Sequence, residues 1–72
     1  MTFKDYFGNI VIAGDKVVWV GSSGHLNDGV VEKIVKGQRF PCKLGIRPSG
    51  KTWDNKQPSL IYKERAYDVV RL

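Results

Sequence analysis

The chain of 72 residues has one cysteine and one histidine, so it has few of the side chains from which metal sites and nucleophilic active sites are built. With Cys42 alone, a disulfide within the chain is excluded, and a cytoplasmic location is the default expectation. There is no CxxC or HExxH motif, so no zinc site of known spacing is present. His25 lies in a polar loop, either solvated or in contact with a ligand. We expect a non-enzymatic protein with no catalytic residue, metal or cofactor.

Long hydrophobic runs are also missing. No apolar segment approaches the ~20 residues that a membrane-spanning helix needs, so no membrane partner is expected. The first residues, MTFKDYFGN, lack the charged-then-apolar pattern of a signal peptide. With 42% hydrophobic and 26% charged residues, the composition is typical of a folded chain rather than a disordered one. We expect one domain, residues 1–72, which at this size buries only about 60% of its unfolded surface.

Residues 14–34 predict a β-hairpin. Gly14 and Asp15 form a turn signal, and the next five residues, KVVWV, have the β-branched and aromatic side chains that favour strands. Residues 21–29 then concentrate glycine, serine, asparagine and aspartate, which predicts a nine-residue polar loop. Strand composition resumes over residues 30–35, so both arms of the hairpin are marked.

This hairpin resembles the KOW motif, which opens small SH3-like barrels in ribosomal and transcription-elongation proteins. The matching residues are Gly14, Asp15, Val17, Trp19, Gly29, Val31 and Ile34. The resemblance implies an all-β fold, a single small SH3-like barrel of about five strongly bent antiparallel strands, with one short helical turn before the last strand. The start of the chain, an aspartate followed by FGN, a β-branched pair and GD, is similar to that of short tailed-phage proteins of this type. It implies a viral origin and the host cytoplasm as location.

The second arm of the hairpin breaks the alternation of inward and outward side chains. Its two candidate core residues, Val31 and Ile34, are three positions apart. A β-bulge or sharp bend at Glu32 and Lys33 would place both residues on the same face of the sheet, as expected where a barrel strand turns a corner.

Residues 39–47, RFPCKLGIR, predict the third long strand, because apolar and basic side chains alternate along them. Cys42 falls on the apolar face, where it acts as a small hydrophobic residue. Pro41 cannot donate to a sheet ladder, so the strand is an edge at that point or begins there. Outward charges on an edge strand prevent pairing between sheets, which is one explanation of the basic face.

The rest of the chain predicts shorter elements. A turn at residues 48–50 precedes a brief strand over residues 51–54, and a helical turn over residues 62–66 precedes a closing strand over residues 67–72. The predicted core consists of Val17, Trp19, Val31, Ile34, Phe40, Leu44, Ile46 and either Val69 or Val70.

The net charge of +5 is concentrated in the second half of the chain. The first 35 residues carry three lysines against four acids, whereas the last 37 carry nine lysines and arginines against three acids. A row of cations along a strand can follow a phosphate backbone. Trp53, among these cations, either stacks on a base or anchors a protein partner, or it plugs the open end of the barrel. The candidate nucleic-acid-binding residues are Lys36, Arg39, Lys43, Arg47, Lys51, Trp53 and Lys56.

Two functions from different classes follow from these features. The first is a non-enzymatic basic module that binds DNA or RNA through phosphate contacts with little sequence specificity. The alternative is a phage protein-interaction module that binds and modulates a host enzyme or defence factor through exposed aromatic residues at Tyr6, Trp53, Tyr62 and Tyr67. The same cations could also bind small anionic signalling nucleotides. A monomer is expected, since no acidic strand is present to pair with a basic edge.

Overall fold

The computed structural model describes residues 2–21, 24–50, 59–65 and 68–72. These residues form seven strands: β1 (Phe3–Lys4), β2 (Ile10–Val11), β3 (Lys16–Val20), β4 (Leu26–Lys36), β5 (Cys42–Pro48), β6 (Ile61–Lys63) and β7 (Val69–Arg71). β1 and β2 form a two-stranded antiparallel sheet, and the others form a five-stranded antiparallel sheet in the order β6-β5-β4-β3-β7. The prediction of an all-β chain is confirmed. In this part of the chain there is no helix with the length and hydrophobicity needed to cross a membrane.

The five-stranded sheet does not close into a barrel. β6 and β7 are its two ends, and no ladder joins them among the described residues. Both end strands have only three residues, and the side chains of Phe3 and Val11 from the two-stranded sheet join the same core. The prediction of a closed barrel is therefore wrong, because a second small sheet contributes to the core where closure was expected.

The hairpin of β3 and β4 is confirmed, but its loop is shorter than predicted. Val20 pairs with Leu26, so only residues 21–25 connect the strands. Gly29 lies inside β4 rather than in the loop. A Cβ atom at this position would lie 2.5 Å from the carbonyl oxygen of Arg47 and 2.9 Å from Cγ2 of Ile46. Glycine is needed here because two strands approach closely, not because the chain turns.

The predicted bulge in β4 is confirmed. The register against β5 shifts between Val31 and Lys33, which leaves Glu32 without a ladder partner. Because of this shift, Val31 pairs with Ile46 and Ile34 pairs with Leu44. Paired residues share a face of the sheet, so both apolar residues of β4 face the core.

β5 begins at Cys42, directly after Pro41, which is one of the two predicted alternatives. It is not an edge, since β4 pairs with it on one side and β6 on the other. The explanation of its basic face as protection of a sheet edge is therefore wrong. A central strand has no exposed row of backbone groups that charge must shield.

The outer edge of β7 is covered by the N-terminal segment. The N–H of Tyr6 donates to the carbonyl oxygen of Val69 at 2.9 Å. The N–H of Arg71 donates to Asp5 Oδ2 at 2.8 Å. This arrangement satisfies backbone groups that would otherwise be open to pairing with another chain.

Asp5 is 3% exposed, and both of its carboxylate oxygens accept hydrogen bonds. Oδ1 accepts from the N–H groups of Phe7 at 2.9 Å and Asn9 at 2.8 Å, while Oδ2 also accepts from the Asn9 side-chain amide at 3.4 Å. Burial, the largest single influence, raises the pKa of Asp5, but the hydrogen bonds from Arg71, Asn9 and Phe7 together lower it below its ordinary value of 3.8. We call the hydrogen bonds that Asp5 accepts from Phe7, Asn9 and Arg71 the Asp5 clasp.

Most of the predicted core is buried. Phe40 is exposed instead, at 38%, because it lies in the turn before β5 and not in the strand that was predicted to bury it. Ile34 is only partly buried against the core, and Val69 rather than Val70 faces inward. The buried hydrophobic residues are Phe3, Val11, Val17, Trp19, Val31, Cys42, Leu44, Ile46 and Val69.

The predicted helical turn over residues 62–66 is wrong at its start, because Tyr62 and Lys63 belong to β6. Directly before β7, the N–H of Asp68 donates to the carbonyl oxygen of Arg65 at 3.2 Å. The closing strand is confirmed over Val69–Arg71. The strand predicted over residues 51–54 lies outside the described residues.

Candidate nucleic-acid interface

A row of three residues crosses β4, β5 and β6 on the face of the sheet that points away from the core. Lys33 pairs with Gly45, and Gly45 pairs with Tyr62. The neighbours of Gly45 along β5, Leu44 and Ile46, are buried in the core. Since side chains alternate along a strand, this row must lie on the opposite, outer face.

Gly45 provides the space in which the other two side chains meet. A Cβ atom at position 45 would lie 3.0 Å from Cγ of Lys33 and 3.2 Å from the ring carbon Cε1 of Tyr62. The lysine stem and the tyrosine ring therefore lean over the glycine from opposite sides. Tyr62 is 45% exposed, so the ring is held against the sheet and still accessible to a ligand.

Two ammonium groups lie close to this exposed ring. Nζ of Lys43 is 4.9 Å from the ring centroid of Tyr62, and Nζ of Lys33 is 5.9 Å from it. Contacts of this kind at exposed sites contribute about 0.5–1 kcal/mol each. Neither lysine forms an ion pair with an acid among the described residues. We call the group of Lys33, Lys43, Gly45 and Tyr62 the Tyr62 platform.

Arg47, on the same face of β5, differs from these two lysines because it forms an ion pair with an acid. Its Nε donates to Glu32 Oε2 at 2.8 Å and its Nη2 donates to Oε1 at 3.2 Å, a bidentate pair. The hydrogen bond from Arg47 lowers the pKa of Glu32, and the same bond raises the pKa of Arg47. Glu32, the bulged residue of β4, thus compensates the charge of Arg47 locally.

The other predicted binding residues do not form one continuous row. Lys36 pairs with the buried Cys42, so the ladder places it on the inner face, at the exposed end of β4. Arg39 is exposed in the turn before β5. Because β5 begins at Cys42, the expected stripe along one strand is reduced to Lys43 and Arg47. Lys51, Trp53 and Lys56 lie outside the described residues, and the binding role of the whole set stays a prediction.

The sequence interpretation missed Lys33 and the role of Tyr62. Lys33 was assigned to the bulge, and Tyr62 was named only as an exposed aromatic at the start of a helical turn. Gly45 was the available signal, since an isolated glycine within an alternating strand indicates close approach of other groups. Its partners could not be identified without the register of three strands.

Two pockets flank this region. A polar one of about 350 Å³ opens beside the Tyr62 ring, with walls that include Gln38, Lys43, Lys63, Glu64, Arg65 and Asp68. Within it, Glu64 Oε1 accepts from the N–H of Gln38 at 2.9 Å. An apolar one of about 330 Å³ is lined by Thr2, Phe3, Lys4, Phe40, Pro41, Cys42 and Glu64. The polar pocket enlarges the surface that a ligand on the platform could contact.

The residues most suited to covalent or metal chemistry are not arranged for it. Cys42 is buried, and its thiol lies 3.5 Å from the carbonyl oxygen of Thr2. The prediction that it acts as a small core residue is confirmed. His25 is exposed in the β3–β4 loop. Within the ranges that the structure describes, no group of three or more histidine, cysteine or acidic residues could hold a metal ion.

The function of the platform has to be inferred from its own geometry. The resemblance of residues 14–34 to the KOW motif stays a sequence-based expectation. When the chain is compared with protein-family models, with curated proteins and with solved structures, nothing matches it.

Proposed function

We propose that this protein is a small, non-enzymatic nucleic-acid-binding module that contacts the phosphate backbone with little sequence specificity. The observation that carries the proposal is the Tyr62 platform, an exposed aromatic ring with two lysine ammonium groups at 4.9 and 5.9 Å from its centroid. Phosphate contacts position a protein on nucleic acid but carry no sequence information. A lysine ammonium is a compact point charge without a fixed hydrogen-bonding direction, so it suits such contacts.

The charge balance of the outer face supports the same proposal. The charge of Arg47 is compensated by a bidentate ion pair with Glu32, whereas Lys33 and Lys43 form no ion pair among the described residues and lie over the tyrosine ring. Lys33 also attracts Glu32, but without a hydrogen bond to it. A phosphate would offer these ammonium groups charge-assisted hydrogen bonds, which are stronger than contacts with a ring at an exposed site. Arg39, exposed in the adjacent turn, adds a further cation to the region.

We also propose that the chain is an SH3-like domain opened by a KOW-like hairpin, acting as a monomer in the cytoplasm. The support is the order of the strands. β3, β4, β5 and β6 follow one another as neighbours, and β7 returns to pair with β3. This order places the platform on β4, β5 and the end strand β6, at the edge of the sheet opposite β7.

The direct test is fluorescence anisotropy of labelled single-stranded and duplex oligonucleotides, of DNA and RNA, from ~50 to ~200 mM salt. We expect micromolar or tighter binding at low salt, and a negative slope of log K against log salt of about 2 to 3, as for release of counterions from a few phosphates. Absence of binding to every oligonucleotide at ~50 mM salt would refute the proposal.

A second candidate function, a protein-interaction module, is favoured by one observation. The N-terminal segment exposes apolar side chains at Tyr6, Phe7, Ile10 and Ile12, with Phe7 70% exposed and its ring edge-to-face with that of Tyr6 at 5.1 Å. In a pull-down from nuclease-treated lysate, the variant Phe7→Ser should lose a partner that Lys43→Met retains. If both variants retain the same proteins, or none are captured, this candidate is excluded.

A further inference from the structure

The Tyr62 platform combines two chemical preferences in one small area. The ring presents an accessible π-face held against the sheet over Gly45. Nζ of Lys43 and Nζ of Lys33, from two different strands, lie over the ring at 4.9 and 5.9 Å from its centroid. A ligand that uses both the ring and the ammonium groups must carry a planar ring and an anionic group only a few ångströms apart. A nucleotide unit, with its base and its phosphate, meets this requirement.

The state of the base decides which form of nucleic acid can use the ring. In a duplex, each base is stacked between its neighbours, and freeing one face costs unstacking and unpairing. In a single strand, bases are available to stack on an aromatic side chain, and this contact is tolerant of sequence because every base has a π-face. An accessible ring between cations is therefore more useful for a single strand than for a duplex.

From this geometry we infer that the platform binds single-stranded nucleic acid, with one base stacked on Tyr62 and the adjacent phosphates on Lys33 and Lys43. The inference rests on the proposed function and specifies its substrate class. Binding requires the two ammonium groups to exchange their contacts with the ring for contacts with phosphate. This exchange is favourable because a phosphate carries a full negative charge and a ring face only a partial one.

The polar pocket beside the ring offers groups that suit both the base and the phosphate of a nucleotide. Its walls include the acids Glu64 and Asp68 as well as Lys63 and Arg65. Carboxylates repel phosphates but accept hydrogen bonds from the amino groups of bases. Lys43 lines the same pocket, so a base edge that meets Glu64 or Asp68 leaves its phosphate within reach of Lys43.

The experiment compares three oligonucleotides of equal length, ~12 nucleotides, which exceeds the footprint of one small domain in most cases. One is a labelled single strand of mixed sequence, one is the same strand paired with its complement, and one is an abasic strand with the same number of phosphates. Each is titrated by anisotropy at ~50 mM salt with the wild type, Tyr62→Leu and Tyr62→Phe. Leucine removes the π-face, and phenylalanine retains it as the matched control.

For the wild type we expect the single strand to bind about tenfold more tightly than the abasic strand, the lower end of what stacking of one base contributes. We expect duplex to bind more weakly than the single strand. Tyr62→Leu should bind the intact single strand no more tightly than the abasic strand. Its affinity for the abasic strand should equal that of the wild type. Tyr62→Phe should bind all three as the wild type does.

Three results would overturn the inference. Equal affinity for the abasic and intact strands shows that no base is stacked, and duplex binding as tight as that of the single strand shows that unpaired bases are not needed. If Tyr62→Leu loses the same affinity for the intact and the abasic strand, the ring has a structural role and does not stack on a base. In each case salt-dependent binding persists and the proposed function stands. If no oligonucleotide binds at all, the inference and the proposed function fail together.

Discussion

The Asp5 clasp and the Tyr62 platform both place charged side chains close to partners, but the partners differ in kind. Both oxygens of Asp5 are used by N–H groups of the chain itself, and the carboxylate is almost completely buried. Lys33 and Lys43 form no ion pair among the described residues, and their ammonium groups lie over an exposed ring. A charge whose hydrogen-bonding capacity is used internally holds the fold together. A charge with one weak partner can exchange that partner for a ligand.

The two regions also differ in what they connect. The clasp links the start of the chain to its end, since Asp5 accepts from the N–H of Arg71, and with Tyr6 it covers the edge of β7. The platform connects adjacent strands that already share a ladder. Changes in the clasp should therefore affect stability and leave binding intact, whereas changes in the platform should affect binding strongly and stability by about 1 kcal/mol or less.

The largest effect on stability is expected from Asp5→Asn. The amide keeps one acceptor oxygen but replaces the other with an NH₂ group, which cannot accept from the N–H of Arg71. A buried donor left without its charged acceptor costs about 3 kcal/mol of unfolding free energy. Urea denaturation followed by circular dichroism measures this loss. The affinity of the folded variant for single strands should equal that of the wild type.

The control for this change is Asp28→Asn, which removes the same charge from an exposed residue whose carboxylate accepts from the Ser49 hydroxyl. It should change stability by less than about 0.5 kcal/mol. The pKa of Asp5 is lowered by folding, so its contribution is complete above the ordinary value of 3.8 and is lost as pH falls through the lower native value. The difference in unfolding free energy between the wild type and Asp5→Asn should therefore become smaller below that pH. A gap that stays constant in acid would show that the charge of Asp5 is not what holds the clasp.

Local sequence patterns were sufficient for the strands of the hairpin and for most of the core. The bulge at Glu32 followed from the spacing of Val31 and Ile34, because alternation along a strand is a strict constraint. Phe40 was misassigned because alternation was extended across Pro41, where the strand begins. The contribution of Phe3 and Val11 to the core was missed, since it depends on how the N-terminal segment packs against the rest of the chain.

The site was predicted less well, because a binding surface depends on register. Lys43 was identified from the charge of its own strand. Lys33 and Tyr62 lie next to it only because β4 and β6 pair with β5 at Gly45. The compensation of Arg47 by Glu32 depends on the bulge in the same way. A count of cations along the sequence cannot distinguish an arginine in an ion pair from a lysine without one.

Gly45→Val should abolish the binding preference with only a small loss of stability, which is the opposite of the effect expected from Asp5→Asn. The added side chain would displace the Lys33 stem and the Tyr62 ring, which lie 3.0 and 3.2 Å from the Cβ position. Both are side-chain groups that can swing outward, so we expect a loss of only about 1 kcal/mol in unfolding free energy. The preference for an intact over an abasic strand should disappear. Gly50→Val, where a Cβ meets no atom within 4 Å, is the control, and if it abolishes the preference equally then the platform is not its source.

The smallest effect on stability, and a selective one on binding, is expected from Lys43→Met, which keeps the aliphatic stem and removes the charge. Loss of one exposed contact with the ring should cost about 0.5–1 kcal/mol, while the slope of log K against log salt should decrease by about 1 because one phosphate contact is lost. Lys4→Met is the matched control, since it removes the same charge from an exposed lysine of β1, next to the clasp. If binding depends only on the net charge of the protein, both variants will show the same decrease in affinity and in the slope of log K against log salt. If it is held at the platform, only Lys43→Met will change the slope, because release of counterions reports the cations that touch phosphate.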